Sequence, residues 1–107
     1  MPVVETPAYL AAAGSFLSET EREEIVSRVA ASPTAGIPLG GGIRKMRVSA
    51  PGRGKRGGAR VVYLFAGEQL PVFLLAAFAK NDKADLTPTE RRALIGVGKR
   101  IASRCGS

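Results

Sequence analysis

The sequence predicts an α+β fold: a small antiparallel β-sheet, formed by a meander of three strands plus an N-terminal strand, with two N-terminal helices and one C-terminal helix. Three observations lead there. Strand-like runs at 43–48, 59–66 and 70–79 follow one another with no helical pattern between them, so they pair antiparallel rather than through helical crossovers. Two capping signatures, Ser18 with Glu21 and Thr87 with Glu90, mark helix starts before and after those strands. Helices and strands are grouped instead of alternating, which is the α+β pattern.

Taken in order, residues 3–6 read as a short strand ended by Pro7, and 8–13 as a short helix stopped at Gly14. The second helix starts after Ser18. Its first turn is acidic, as the helix dipole favours, and Ile25, Val26, Val29 and Ala30 form its apolar face. Ser32-Pro33 ends it. Residues 34–42, with Gly36, Pro38 and three consecutive glycines, read as loop. Residues 49–58 are a loop of glycine, proline and base, and 67–69 a turn. The run at 70–79 is almost wholly apolar, so it should be central and covered on much of both faces. Pro88 takes the first position of the last helix, where Leu94, Val97 and Ile101 fall at helical spacing. Gly96 and Gly98 weaken that helix by about 1 kcal/mol each relative to alanine, so it depends on tertiary packing. The helices are expected on one face of the sheet, leaving the other open.

A length of 107 residues fits one domain, 1–107, and 45% hydrophobic content supports a real core. The single cysteine, Cys105, excludes an internal disulfide framework and fits a reducing cytoplasm. There is no histidine, which excludes histidine acid–base catalysis and, with one cysteine, argues against a zinc site. The longest apolar run has ten residues, half of what a membrane helix needs, and no signal-peptide pattern opens the chain. A soluble cytoplasmic protein is expected.

Net charge is +7, and its distribution matters more than its size. Four of the nine acids lie between Glu19 and Glu24, and none lies between Ile25 and Gly67. Solubility is usually met with mixed charge, so the acid-free segment points to an anionic partner. Strand alternation puts Lys45 and Arg47 on one face with Ile43. Arg44 shares the more apolar face with Met46 and Val48, close enough to the strand start to reach solvent. Arg60 opens the next strand. Arg53, Lys55 and Arg56 sit among glycines that let backbone approach a phosphate. Lys80 ends the last strand beside Asn81 and Lys83. No GxxxxGK[ST] pattern indicates a nucleotide P-loop. Aromatic residues are few and read mostly as core, so RNA binding would rest on charge, not stacking.

The segments "GGIRKMRV", "GKRGGARVVYLF" and "FLLAAFAKNDKADLTPTERRAL" resemble the RelE/HigB superfamily of type II toxins, on the HigB side. The resemblance implies a small antiparallel sheet flanked by helices, entry into the ribosomal A site, and cleavage of mRNA there. It implies no metal or organic cofactor, and a cognate antitoxin, HigA-like with a helix-turn-helix domain. It also implies roles. Arg60 contacts the phosphate and transition state; Lys45 and Arg47 are candidates for general base and phosphate binding; Lys80 is a candidate acid. Arg44, Arg53, Lys55, Arg56 and Lys83 are candidates for gripping ribosome or message. Two positions depart from RelE: Asn81 stands where it has a second arginine, and Leu86 where it has a tyrosine. Tyr63 alternates away from Arg60, so a structural role is expected for it. A ParE-like gyrase poison and a non-catalytic RNA-binding protein are the competing readings.

Overall fold

The structure, a computed structural model, describes residues 1–49, 58–80 and 83–106. β1 (Val3–Glu5), α1 (Pro7–Ala13), α2 (Glu19–Ala31), β2 (Ile37–Gly40), β3 (Ile43–Val48), β4 (Ala59–Leu64), β5 (Val72–Ala79) and α3 (Pro88–Gly106) follow in that order. The strands form a five-stranded sheet ordered β1-β5-β4-β3-β2. β3, β4 and β5 make the expected antiparallel meander, with β5 between β4 and β1. β1 joins in parallel to β5, the one departure from antiparallel pairing in this sheet. Thr6 fixes that join: its hydroxyl donates to the Leu74 carbonyl at 2.6 Å while accepting from the Tyr9 amide at 3.2 Å to cap α1. Both predicted capping boxes form, Ser18 with Glu21 and Thr87 with Glu90.

Two expectations are corrected. The stretch read as loop at 34–42 contains strand β2, paired antiparallel with β3. Proline and glycine disguise it in the sequence, and it is tolerated because it is an edge strand whose outer groups need no ladder partner. The turn to β3 uses Gly40, Gly41 and Gly42, all at positive φ (111°, 61° and 83°), a path that side-chain-bearing residues rarely take.

The second correction concerns the helices, which do not gather on one face. α1 and α2 cover the face bearing Met46, Val48, Val61, Tyr63 and Leu74. α3 covers part of the opposite face through Leu94, Ile95, Val97 and Ile101, packed on Ile43, Val62, Leu64 and Leu75. A register shift in the β4–β5 ladder leaves Leu75 without an opposite partner and brings it beside Ala76 in this second core. Gly98 lets α3 come close: a Cβ there would stand 2.7 Å from Ile43 Cδ1. The weak helix is thus held by tertiary packing, as its glycines required.

Tyr63 is fully buried beneath α1 and α2 and works as a latch. Its hydroxyl donates to the Pro33 carbonyl at 2.7 Å and accepts from the Gly36 amide at 3.1 Å, tying the chain between α2 and β2 to the middle of the sheet. Tyr63→Phe leaves both backbone groups short of a partner, and we expect a loss of about 1–3 kcal/mol in urea unfolding. A midpoint equal to that of the parent would show that the latch is dispensable.

Burial also pushes the Tyr9 phenol from 10.0 up to about 12, with the Glu5 carboxylate adding to the rise and Arg22 opposing it. Burial likewise raises Tyr63, against the Gly36 amide and Arg44. The unfolded chain therefore gives up phenolic protons first on the alkaline side. This contribution to stability is complete below pH 10.0 and is lost as pH rises toward about 12. Urea midpoints measured on either side of pH 10.0 should fall with rising pH.

Candidate active site

The β3–β4 register sets three rows on the α3 face: Ile43 opposite Leu64, Lys45 opposite Val62, and Arg47 opposite Arg60. α3 covers the first row. The last row lies at the other end of the strands, with Phe78 next to Arg60 on β5. Like charges directly opposite one another disfavour each other across a sheet, and an anion bound at the pair would meet both guanidinium groups. Arg47 is exposed, and its side chain forms no ion pair or hydrogen bond among the described residues. Arg60 is half-buried, with Nη1 donating to the Ala59 carbonyl at 3.3 Å among its interactions.

Lys45 does not project freely. Its ammonium donates to Asp85 Oδ1 at 2.7 Å, with the lysine side chain 17% exposed and the aspartate 58%. The same oxygen accepts from the Leu86 amide at 2.8 Å. The Lys45 hydrogen bond, helped by that amide and by the nearby charges of Lys45 and Lys80, holds the Asp85 carboxyl below its ordinary value of 3.8. The connection between β5 and α3 therefore sets a carboxylate against one candidate lysine and within electrostatic reach of a second. Lys80 also reaches the Ala84 carbonyl at 3.4 Å, and its amide continues the ladder to the Gly58 carbonyl at 3.1 Å. Lys83 pairs with Glu90 and lies 5.8 Å from the centre of the Phe78 ring.

The site residues named from the sequence thus separate. Lys45, Arg47 and Arg60 share one face, and Lys80 lies within electrostatic reach of Asp85, the partner of Lys45. Arg44 stands apart: its guanidinium donates to the carbonyls of Thr34 at 3.0 Å and Gly36 at 2.7 Å, bracing the approach to β2. Tyr63 lies on the opposite face, in keeping with its alternation. Arg53, Lys55, Arg56 and Asn81 lie outside the described residues. Sequence reasoning misses two participants. Asp85 reads as part of an ordinary turn, although an acid placed just before the Thr87 cap is a usable signal. Arg91 donates twice to the Leu39 carbonyl, at 3.1 and 2.9 Å, and fastens α3 to β2. Among the described residues, no group of three or more His, Cys, Asp or Glu could hold a metal ion.

A twisted sheet that presents an arginine pair and two lysines on the part of one face that α3 leaves uncovered defines a small basic protein built to meet a polyanion. Comparison with known families makes the class specific. The family model described as "RelE toxin of RelE / RelB toxin-antitoxin system" matches residues 13–106. The chain belongs to the RelE toxin family. It is the toxin of a toxin–antitoxin system, and a cognate antitoxin is its partner. Among the described residues, no helix is long and apolar enough to cross a membrane.

Asp85 competes with any incoming anion for Lys45. Asp85→Asn should therefore strengthen binding of a short, uncleavable RNA by several-fold at low salt, and the gain should shrink as salt screens it. Fluorescence anisotropy over a salt series measures this. Weaker binding would mean instead that Asp85 orients Lys45 for its ligand.

Proposed function

We propose that this toxin is a HigB-like, ribosome-dependent mRNA endonuclease that cuts message in the A site and so inhibits translation. The observation that carries this reading is the Arg47–Arg60 pair facing outward beside Lys45 and Lys80, within a RelE-family chain. The working unit is the domain formed by residues 1–107, acting in the cytoplasm and neutralised by a HigA-like antitoxin with a helix-turn-helix domain.

The chemistry follows from the inventory. The 2′-oxygen attacks the adjacent phosphorus, the new O–P bond forms, and the P–O5′ bond breaks to leave a 2′,3′-cyclic phosphate. One proton leaves the 2′-hydroxyl and another reaches the departing 5′-oxygen. Arg47 and Arg60 bind the phosphate and offset the charge that builds on its equatorial oxygens. A preorganised pair of cations does this without reorganisation at the moment of reaction. Lys45, once released by Asp85, is the candidate base for the first proton, and Lys80 is the candidate acid for the second. Of the cations assigned to gripping RNA, Arg53, Lys55 and Arg56 keep that role. Arg44 and Lys83 are occupied by backbone carbonyls and by Glu90.

Arg60→Ala should lower cleavage of a defined message on purified ribosomes by about 10²–10³-fold. The variant should stay folded by circular dichroism at the assay temperature, and ribosome binding should fall only modestly. Intact A-site codons with the parent protein would sink the nuclease reading. A second reading, a ParE-like gyrase poison, is favoured by one arrangement: Lys45 is held by Asp85, and Tyr63 is on the far face, so no tyrosine stands beside the arginine pair. Gyrase-linked DNA breaks with uncut message would establish it. Loss of ribosome binding in Arg60→Ala, with no cleavage to lose, would mark a non-catalytic RNA-binding protein.

A further inference from the structure

The solvent side of α3 carries a second group of cations, separate from the arginine pair. Leu94, Val97, Gly98 and Ile101 point into the core. The opposite side bears Arg92, Lys99, Arg100 and Arg104, all exposed. At 3.6 residues per turn these four fall within an arc of roughly 140°, along about 18 Å of helix. The positions between them are Ala93, Gly96 and Ser103, small residues with no acid among them. Among the described residues none of the four forms an ion pair.

Helix stability does not account for this ridge. Cations near a helix C-terminus offset its dipole, which explains Arg104 and in part Arg100. Arg92 lies past the first turn, where the dipole gives it no support, and its one hydrogen bond among the described residues is a 3.4 Å donation to Thr89 Oγ1. Arg100 and Arg104 are four residues apart, a like-charge spacing that destabilises a helix. Gly96 adds a further helix penalty. A charged ridge with a like-charge pair one turn apart and no ion pair among the described residues is the pattern expected of a binding surface.

We propose that this ridge docks on the phosphate backbone of double-helical RNA, while the arginine pair handles the strand to be cut. The ridge has no aromatic or large apolar side chain, and protein interfaces draw most of their energy from such anchors. The same lack excludes base stacking, on which single-strand binders rely. What remains is charge along a line with small side chains between, suited to phosphates of an A-form helix read by shape. The acids support this polarity: Glu19, Glu21, Glu23 and Glu24 lie on α2, across the sheet from α3. One face therefore repels a polyanion while the other attracts it. The inference rests on the toxin reading only in taking RNA as the polyanion.

The test compares the parent chain with a variant carrying Arg92→Gln, Lys99→Gln, Arg100→Gln and Arg104→Gln. Binding to a short RNA duplex is followed by anisotropy over a salt series. We expect affinity to fall tenfold or more at low salt, and the slope of log affinity against log salt to flatten by about 2–4, close to one for each phosphate that the variant no longer neutralises. Unchanged affinity and slope would overturn the proposal. Loss of binding to polyglutamate, with duplex RNA held as tightly as by the parent, would also overturn it and indicate an acidic protein partner. The urea midpoint should not fall, since exposed side chains without ion pairs are replaced. If it does, the double variant Arg92→Gln/Lys99→Gln carries the same comparison with a slope change of about 1–2. Cleavage is scored separately with Arg60→Ala. A weakened duplex interaction in a chain that never cuts message leaves the ridge standing and removes the nuclease. Normal duplex binding beside abolished Arg60→Ala cleavage does the reverse.

Discussion

The β3–β4 register, which sets Arg47 opposite Arg60, decides which side of the sheet every other side chain on those strands takes. The side-chain period of a strand is two, so a slip of β3 by one residue against β4 would carry Arg47 into the core beneath α1 and α2 and turn Met46 and Val48 out of it. Several contacts resist that slip. Tyr63 reaches Pro33 and Gly36 on one side, and Ile43 and Leu64 pack against Gly98 on the other. Register, core and cation pair are one arrangement.

The placement of α3 then determines how much of the sheet stays available. Ile43, Val62, Leu64 and Leu75 present enough apolar surface on the second face to require a cover, and α3 supplies it with its own apolar side. The uncovered part shrinks to the end of the strands where Arg47 and Arg60 face each other. The connection leading into α3 crosses toward that end and brings Asp85 onto Lys45. The helix that completes the fold therefore also sets the electrostatics of the site.

Positive charge in this chain has more than one use. Arg44 and Arg91 hydrogen-bond to carbonyls at the two ends of the β2 segment and hold an edge strand that has little packing of its own. Lys45 and Lys83 meet carboxylates. Arg47 and the cations on the solvent side of α3 meet no carboxylate among the described residues. Net charge alone would have credited all of these with ligand binding. Long-range geometry divides them, because a guanidinium near a bent backbone satisfies carbonyls that would otherwise lack donors.

Much was legible in the residues themselves. Capping boxes at Ser18 and Thr87 announced two helices, because their hydrogen bonds close within three residues. Alternation in "IRKMRV" and "ARVVYL" assigned Lys45, Arg47 and Arg60 to one face and Tyr63 to the other, since a pleated strand has no other way to place them. Their motifs were enough to point to the family. Tertiary structure alone decided the rest. β2 exists because β3 offers it an edge, against the local preferences of Pro38 and Gly40. α3 lies on the second face because a core there needed closing. Asp85 finds Lys45 across forty residues of chain, a distance over which local pattern carries no information.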